Sequence, residues 1–178
     1  MHPQKRAFLW INLVGGLAVL GSYVHGLVSN PETRGQLWGG VPEALAPLYT
    51  VNMFLAAGGY FLFTYFVFLR LDPDRVRVFG RTGFGAFNAI YAAILVASAL
   101  WLPLTFAMIE SPSGLTWFAV RAVLTTTGVA SVALLVAILR VSPHEAPLAR
   151  RLAVVGCVPF VVQTALLDAI VWPAYYPV

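Results

Sequence analysis

A single cysteine, a single lysine and seven acidic residues are all that this 178-residue chain offers of three kinds of chemistry. Cys157, standing alone, excludes an intramolecular disulfide and any multi-cysteine metal site, and reads as a small hydrophobe. The lysine, Lys5, precedes the first apolar run, so no lysine lies within a helix and a retinal Schiff base is excluded. His25 is the only histidine inside an apolar run, so one chain cannot hold haem between two histidines. There is no Walker or dinucleotide glycine motif and no run of carboxylates at metal-ligand spacing. Charged residues make up only 10% of the chain, too few to coat an ordinary soluble domain.

Apolar sequence fills the space instead. The hydrophobic content is 60% and the mean hydropathy +0.81. Five runs, at about 7–28, 48–69, 86–109, 115–139 and 152–173, each reach the roughly 20 residues an α-helix needs to cross hydrocarbon. Short alternating segments, the mark of a transmembrane barrel, are missing. The expectation is an all-α integral membrane protein, a five-transmembrane-helix bundle forming one domain over 1–178. The first run follows Lys5 and Arg6 as a signal peptide would. It is too long for a signal core and lacks a clean small-x-small site, so it reads as a retained helix.

The net charge of +4 carries orientation rather than nucleic-acid binding. Lys5, Arg6, Arg70, Arg75, Arg77, Arg81, Arg140, Arg150 and Arg151 all fall on one side of the bundle, and Arg34 lies in a loop on the other. Positive residues stay inside, so the N-terminus is expected in the cytoplasm and the C-terminus across the membrane, a bacterial inner membrane or an organelle membrane. Those basic residues touch lipid headgroups. Between the first two helices, 29–47 holds Pro31, Gly35, Trp38, Gly39, Gly40, Pro42 and Pro47, which suits a folded lid. Gly15, Gly16, Gly21, Ala56 to Gly59 and Gly128 read as packing devices that bring helices close. Trp10 and Trp172 suit the interfacial aromatic belt.

Polar groups gather at one depth. Arg121 sits six residues into the fourth helix, roughly 9 Å down, and Asp168 five residues from the end of the fifth, roughly 8 Å down. His25, Asn52 and Trp101 fall in the same layer. At a spacing of four, Thr164, Asp168 and Trp172 share a helix face, as do Arg121 and Thr125. An ionisable group in hydrocarbon costs several kcal/mol, or roughly half that on insertion scales, so it survives when paired or useful. The expectation is an aromatic-walled cavity in the non-cytoplasmic half, capped by the long loop. Other readings stay open. Arg121 with Asp168 reads equally as a structural ion pair, and Arg121 as a side chain snorkelling to headgroups. His25 reads as a packing residue, and Asn52 as a bond to a neighbouring helix.

Three stretches resemble the tryptophan-rich sensory protein, or translocator protein, family (TspO). Pro47-Leu48-Tyr49-Thr50-Val51 leading to Gly59-Tyr60 resembles its second-helix start. Ser98-Ala99-Leu100-Trp101-Leu102-Pro103-Leu104-Thr105-Phe106 resembles its third-helix Asn-x-x-Trp-Ser-Pro-x-Phe-Phe. Leu167-Asp168-Ala169-Ile170-Val171-Trp172 resembles its fifth-helix Leu-Asn-x-x-Ile-Trp. The resemblance implies a TspO-like fold that binds a tetrapyrrole (a porphyrin or haem-related pigment) or a sterol beneath the first loop. Trp38, Tyr49, Asn52, Trp101 and Asp168 then line the cavity, joined by His25 and Arg121 from the depth argument. It also implies a homodimer through small-residue helix faces. The family's Pro-x-Trp-x-Pro-Pro loop element survives only as Trp38 and Pro42, and Asp168 replaces an asparagine. Two further function classes stand beside this one. The first is a membrane enzyme on a lipid-soluble substrate, with His25 or Asp168 as acid/base and Arg121 as electrostatic partner. The second is a non-catalytic subunit of a larger membrane complex.

Overall fold

Side-chain capping sets where two of the long helices begin, and it carries them past their apolar runs. The computed structural model describes residues 1–78, 80, 82–143 and 146–176. The first helix, α1, spans Pro3–Ser29, four residues earlier than its apolar run. Pro3 needs no backbone donor at this position, and the His2 ring accepts the Gln4 amide at 3.1 Å. Lys5 and Arg6 therefore lie inside its first turns rather than ahead of it. Helix α4, Gly114–Arg140, opens on a capping box in which Ser113 and Thr116 exchange backbone and side-chain bonds at 3.1 and 3.2 Å.

The other long elements are α2, Ala46–Tyr65, and α3, Gly85–Glu110. The fifth is one continuous rod, opening as α5, Pro147–Val161. It continues as a ten-residue π-helix, Val162–Val171, and closes with the α-turn Trp172–Tyr175. All five are long and apolar enough to cross a membrane. Around the bundle α1 packs on α3, α3 on α4, α4 on the fifth rod and the fifth rod on α2. The Tyr60 hydroxyl, donating to Asn12 Oδ1 at 2.6 Å, ties α2 back to α1.

Glycines set the closest approach. Gly59 on α2 and Gly156 on α5 cross backbone to backbone, and a methyl built on Gly156 would sit 2.8 Å from the Gly59 carbonyl oxygen. Gly128 meets Ala165 the same way. Gly15 and Gly26 take Leu95 and Leu102 of α3, whereas Gly16 and Gly21 face away with nothing near them. Of the glycines expected to bring helices close, Gly15, Gly59 and Gly128 do so, and Gly16, Gly21 and Gly58 do not.

The end bearing most of the basic residues holds the larger core. Phe8, Phe63, Phe66, Phe84, Phe87 and Tyr91 are fully buried there. At this end β1 (Arg77–Val78) and β2 (Val141–Ser142) pair antiparallel, with Val78 and Val141 buried. Two-residue strands leave too short an alternation to read from sequence. Arg150 caps the end of α4, its Nε and Nη2 donating to the carbonyls of Ile138 and Leu139 at 3.1 and 2.7 Å. A cation at a helix C-terminus satisfies open carbonyls and meets the negative end of the helix dipole. Arg81, counted among the basic residues of that side, lies outside the described residues.

Candidate functional site

The site grows from Pro159. A proline inside a helix removes one backbone donor, and the rod beyond it widens into the π-helix. Runs of π-helix are rare and are usually single turns. Wider turns change which side chains meet. Gln163 and Asp168, five residues apart, face each other, and Gln163 Nε2 donates to Asp168 Oδ1 at 2.8 Å. From α2, Asn52 Nδ2 donates to Gln163 Oε1 at 3.1 Å and to the Pro159 carbonyl at 3.0 Å. One turn earlier on α2, the Tyr49 hydroxyl donates to the Leu167 carbonyl at 2.9 Å. Tyr49, Asn52 and Gln163 are buried and Asp168 is partly buried. A chain of amide, amide and carboxyl therefore crosses from α2 to the fifth rod inside an apolar bundle.

Thr164, expected on the face of Asp168, points elsewhere. Its hydroxyl reaches Ser131 of α4 at 2.7 Å, and Ser131 in turn donates to the Gly128 carbonyl at 2.7 Å. The π-helical period separates the two: Thr164 looks to α4, Asp168 to Gln163 and α2.

Aromatic rings close the cluster toward the long loop. The rings of Tyr23 and Tyr49 lie within electrostatic reach of the Asp168 carboxyl. Tyr23 meets Trp101 at 5.7 Å, and Trp101 meets Trp172 at 6.5 Å. Trp38 stands edge-on to Tyr49 at 5.9 Å. The loop is pinned down: Trp172 Nε1 donates to the Leu37 carbonyl at 2.8 Å, and the Gly40 amide to the Tyr175 carbonyl at 2.9 Å. Tyr176 stacks on Trp117 at 5.7 Å and helps line a cleft of about 350 Å³ under this loop, beside Gln36, Met108 and Ser113. Burial pushes the Tyr176 phenol up from its ordinary value. Two buried polar side-chain atoms among the described residues lack a hydrogen-bond partner, Asn88 Oδ1 and Trp101 Nε1. The second belongs to this aromatic wall, and an unpartnered buried donor costs about 1–3 kcal/mol.

Of the seven residues nominated from sequence, Tyr49, Asn52, Trp101 and Asp168 come together, with Trp38 at the rim. His25 and Arg121 do not. His25 is exposed on α1, and its ring lies 3.3 Å from the Ser29 hydroxyl. Arg121 is exposed on the outer face of α4. The expected Arg121–Asp168 ion pair does not form: among the described residues the one ion pair joins His2 and Asp74 at 3.2 Å. The cause is geometric, since the π-helix turns Asp168 toward Gln163 while Arg121 follows the exposed face of an ordinary α-helix. Gln163 and Tyr23 escaped the sequence reading. A spacing of five marks no shared face in an α-helix. The available signal was Pro159 four residues before the only amide of that run. Among the described residues no group of three histidine, cysteine or acidic side chains is placed to hold a metal.

Chemically, the cluster presents an acceptor, the second oxygen of Asp168, and a donor, the Trp101 indole, among aromatic rings. Comparison of the chain with family models, with curated proteins and with solved structures finds no match to any of them.

Proposed function

We propose that the chain is a TspO-like integral membrane protein that binds a lipophilic small molecule in the half of the bundle beneath the long loop. Its N-terminus is cytoplasmic and its C-terminus lies on the opposite side, in a bacterial inner membrane or an organelle membrane. The observation that carries this reading is the Asn52–Gln163–Asp168 chain, set on a π-helix, with the unpartnered Trp101 indole among the rings beside it. Polar groups this deep in an apolar bundle are expensive, and π-helical segments favour functional sites. A pyrrole N–H of a tetrapyrrole or the hydroxyl of a sterol is a donor suited to Asp168, and an acceptor on either molecule suits Trp101. The Trp38, Tyr49 and Trp101 rings supply flat apolar walls. Arg121, expected to meet an acidic group of the ligand, faces outward and stands apart from this cluster.

Titrating a porphyrin and a sterol into purified protein, read by Soret absorbance and tryptophan quenching, tests the proposal. Saturable binding that falls about tenfold in Asp168→Ala supports it, at the roughly 1.4 kcal/mol expected of one lost hydrogen bond. Binding equal in wild type and Asp168→Ala would contradict it. A second reading, a subunit or homodimer joined through α1, is favoured by that helix alone. It is the least buried of the five, and Gly16 and Gly21 face outward on it.

A further inference from the structure

On the outer side of α4, Arg121, Thr125, Val129 and Val132 form one exposed stripe at helical spacing. Below Arg121 the stripe borders a groove of about 310 Å³ between α4 and the fifth rod, floored by Gly128, Ala165 and Ala169. The floor is low because Gly128 and Ala165 touch: a methyl on Gly128 would sit 2.9 Å from the Ala165 Cα. We propose that this groove is the seat of one anionic phospholipid, its phosphate on Arg121 and one acyl chain lying along Thr125 to Val132. This inference rests on the membrane-spanning reading above.

Charge complementarity selects the occupant. Arg121 is exposed and forms no ion pair among the described residues, and the one acid of the neighbouring rod, Asp168, is engaged by Gln163. A guanidinium presents paired N–H donors that match a phosphate, and in a helix its side chain leans toward the N-terminus, here the headgroup end. The walls beneath are apolar except for the Thr125 hydroxyl. From Arg121 to Val132 the helix rises roughly 16 Å, close to the depth of one leaflet of a core about 30 Å thick. A headgroup of net negative charge gains from Arg121, whereas a choline headgroup carries its own cation.

The test compares phosphatidylglycerol with phosphatidylcholine, each added to the detergent-purified full chain. The readouts are the thermal unfolding midpoint and lipid retention in native mass spectrometry. Wild type is expected to hold one phosphatidylglycerol and to be stabilised by it in preference to phosphatidylcholine. Arg121→Gln should weaken that preference about fivefold, the worth of one basic residue near a lipid surface. Thr125→Trp, filling the groove from an exposed position, should abolish retention. Equal stabilisation by both lipids, an Arg121→Gln variant indistinguishable from wild type, or a lipid-free dimer seated on the groove would each overturn the seat. A chain recovered from cells without detergent overturns the membrane reading as well, whereas a membrane-bound chain with no lipid preference overturns the seat alone.

Discussion

Replacing Gln163 with leucine removes the middle of the buried polar chain and leaves two partners exposed to its loss. Asp168 loses its amide donor at 2.8 Å, and Asn52 keeps only the Pro159 carbonyl at 3.0 Å. In water-soluble proteins a hydrogen bond to a charged group is worth about 1.5–3 kcal/mol. Between membrane helices measured couplings average about 0.6 kcal/mol and reach about 1.7, because the unfolded chain in lipid also finds partners. Gln163 is buried and makes two bonds in one connected network, so Gln163→Leu should cost about 2 kcal/mol, near the upper end. Asp168→Leu alone should cost about 1 kcal/mol by stranding only the Gln163 amide. The double variant should cost about 2 kcal/mol rather than the additive 3, because the second change removes a group already without its partner. The assay is reversible unfolding in mixed micelles by increasing dodecyl sulfate, followed by circular dichroism and tryptophan emission. Additivity within about 0.3 kcal/mol would refute the claim that these side chains act as one network.

Gly59→Ala drives a methyl into the Gly156 backbone and should lower stability by more than 2 kcal/mol in the same assay, while Gly16→Ala, with nothing near it, should be neutral or slightly stabilising. Ser113→Ala dismantles the capping box of α4 and should cost about 1 kcal/mol. Trp101→Phe deletes an unpartnered buried donor, so unfolding should shift by less than about 1 kcal/mol while porphyrin or sterol affinity falls, a split that packing alone does not produce.

The five helices were legible because length and hydropathy report directly on the solvent a helix can face. Their ends were not, since His2, Ser113 and Thr116 belong to helices by capping rather than by apolarity. Gly59 and Gly128 could be read as close-approach points from residue size, yet only the fold tells them from Gly16 and Gly21. Depth arithmetic placed Asp168, Asn52 and Trp101 in one layer; the structure spreads them along the axis, Asn52 meeting Gln163 on one side of Asp168 and Trp101 meeting Trp172 on the other. The arithmetic also failed on direction. Depth fixes how far a side chain sits along an axis, and azimuth depends on a helical period that the π-helix after Pro159 changes. Arg121 therefore faces away from Asp168, and Gln163, five residues from Asp168, became the partner of that carboxyl unannounced. His25 failed in the same manner, lying on an outward surface of α1.

The most direct test extracts wild-type protein from its own membrane in mild detergent and identifies what leaves with it by absorbance and mass spectrometry. A stoichiometric lipophilic molecule bearing a hydrogen-bond donor, retained by wild type and absent from folded Asp168→Ala protein, is the predicted result. Protein that emerges with that position empty in both forms, and that binds neither porphyrin nor sterol afterwards, contradicts it.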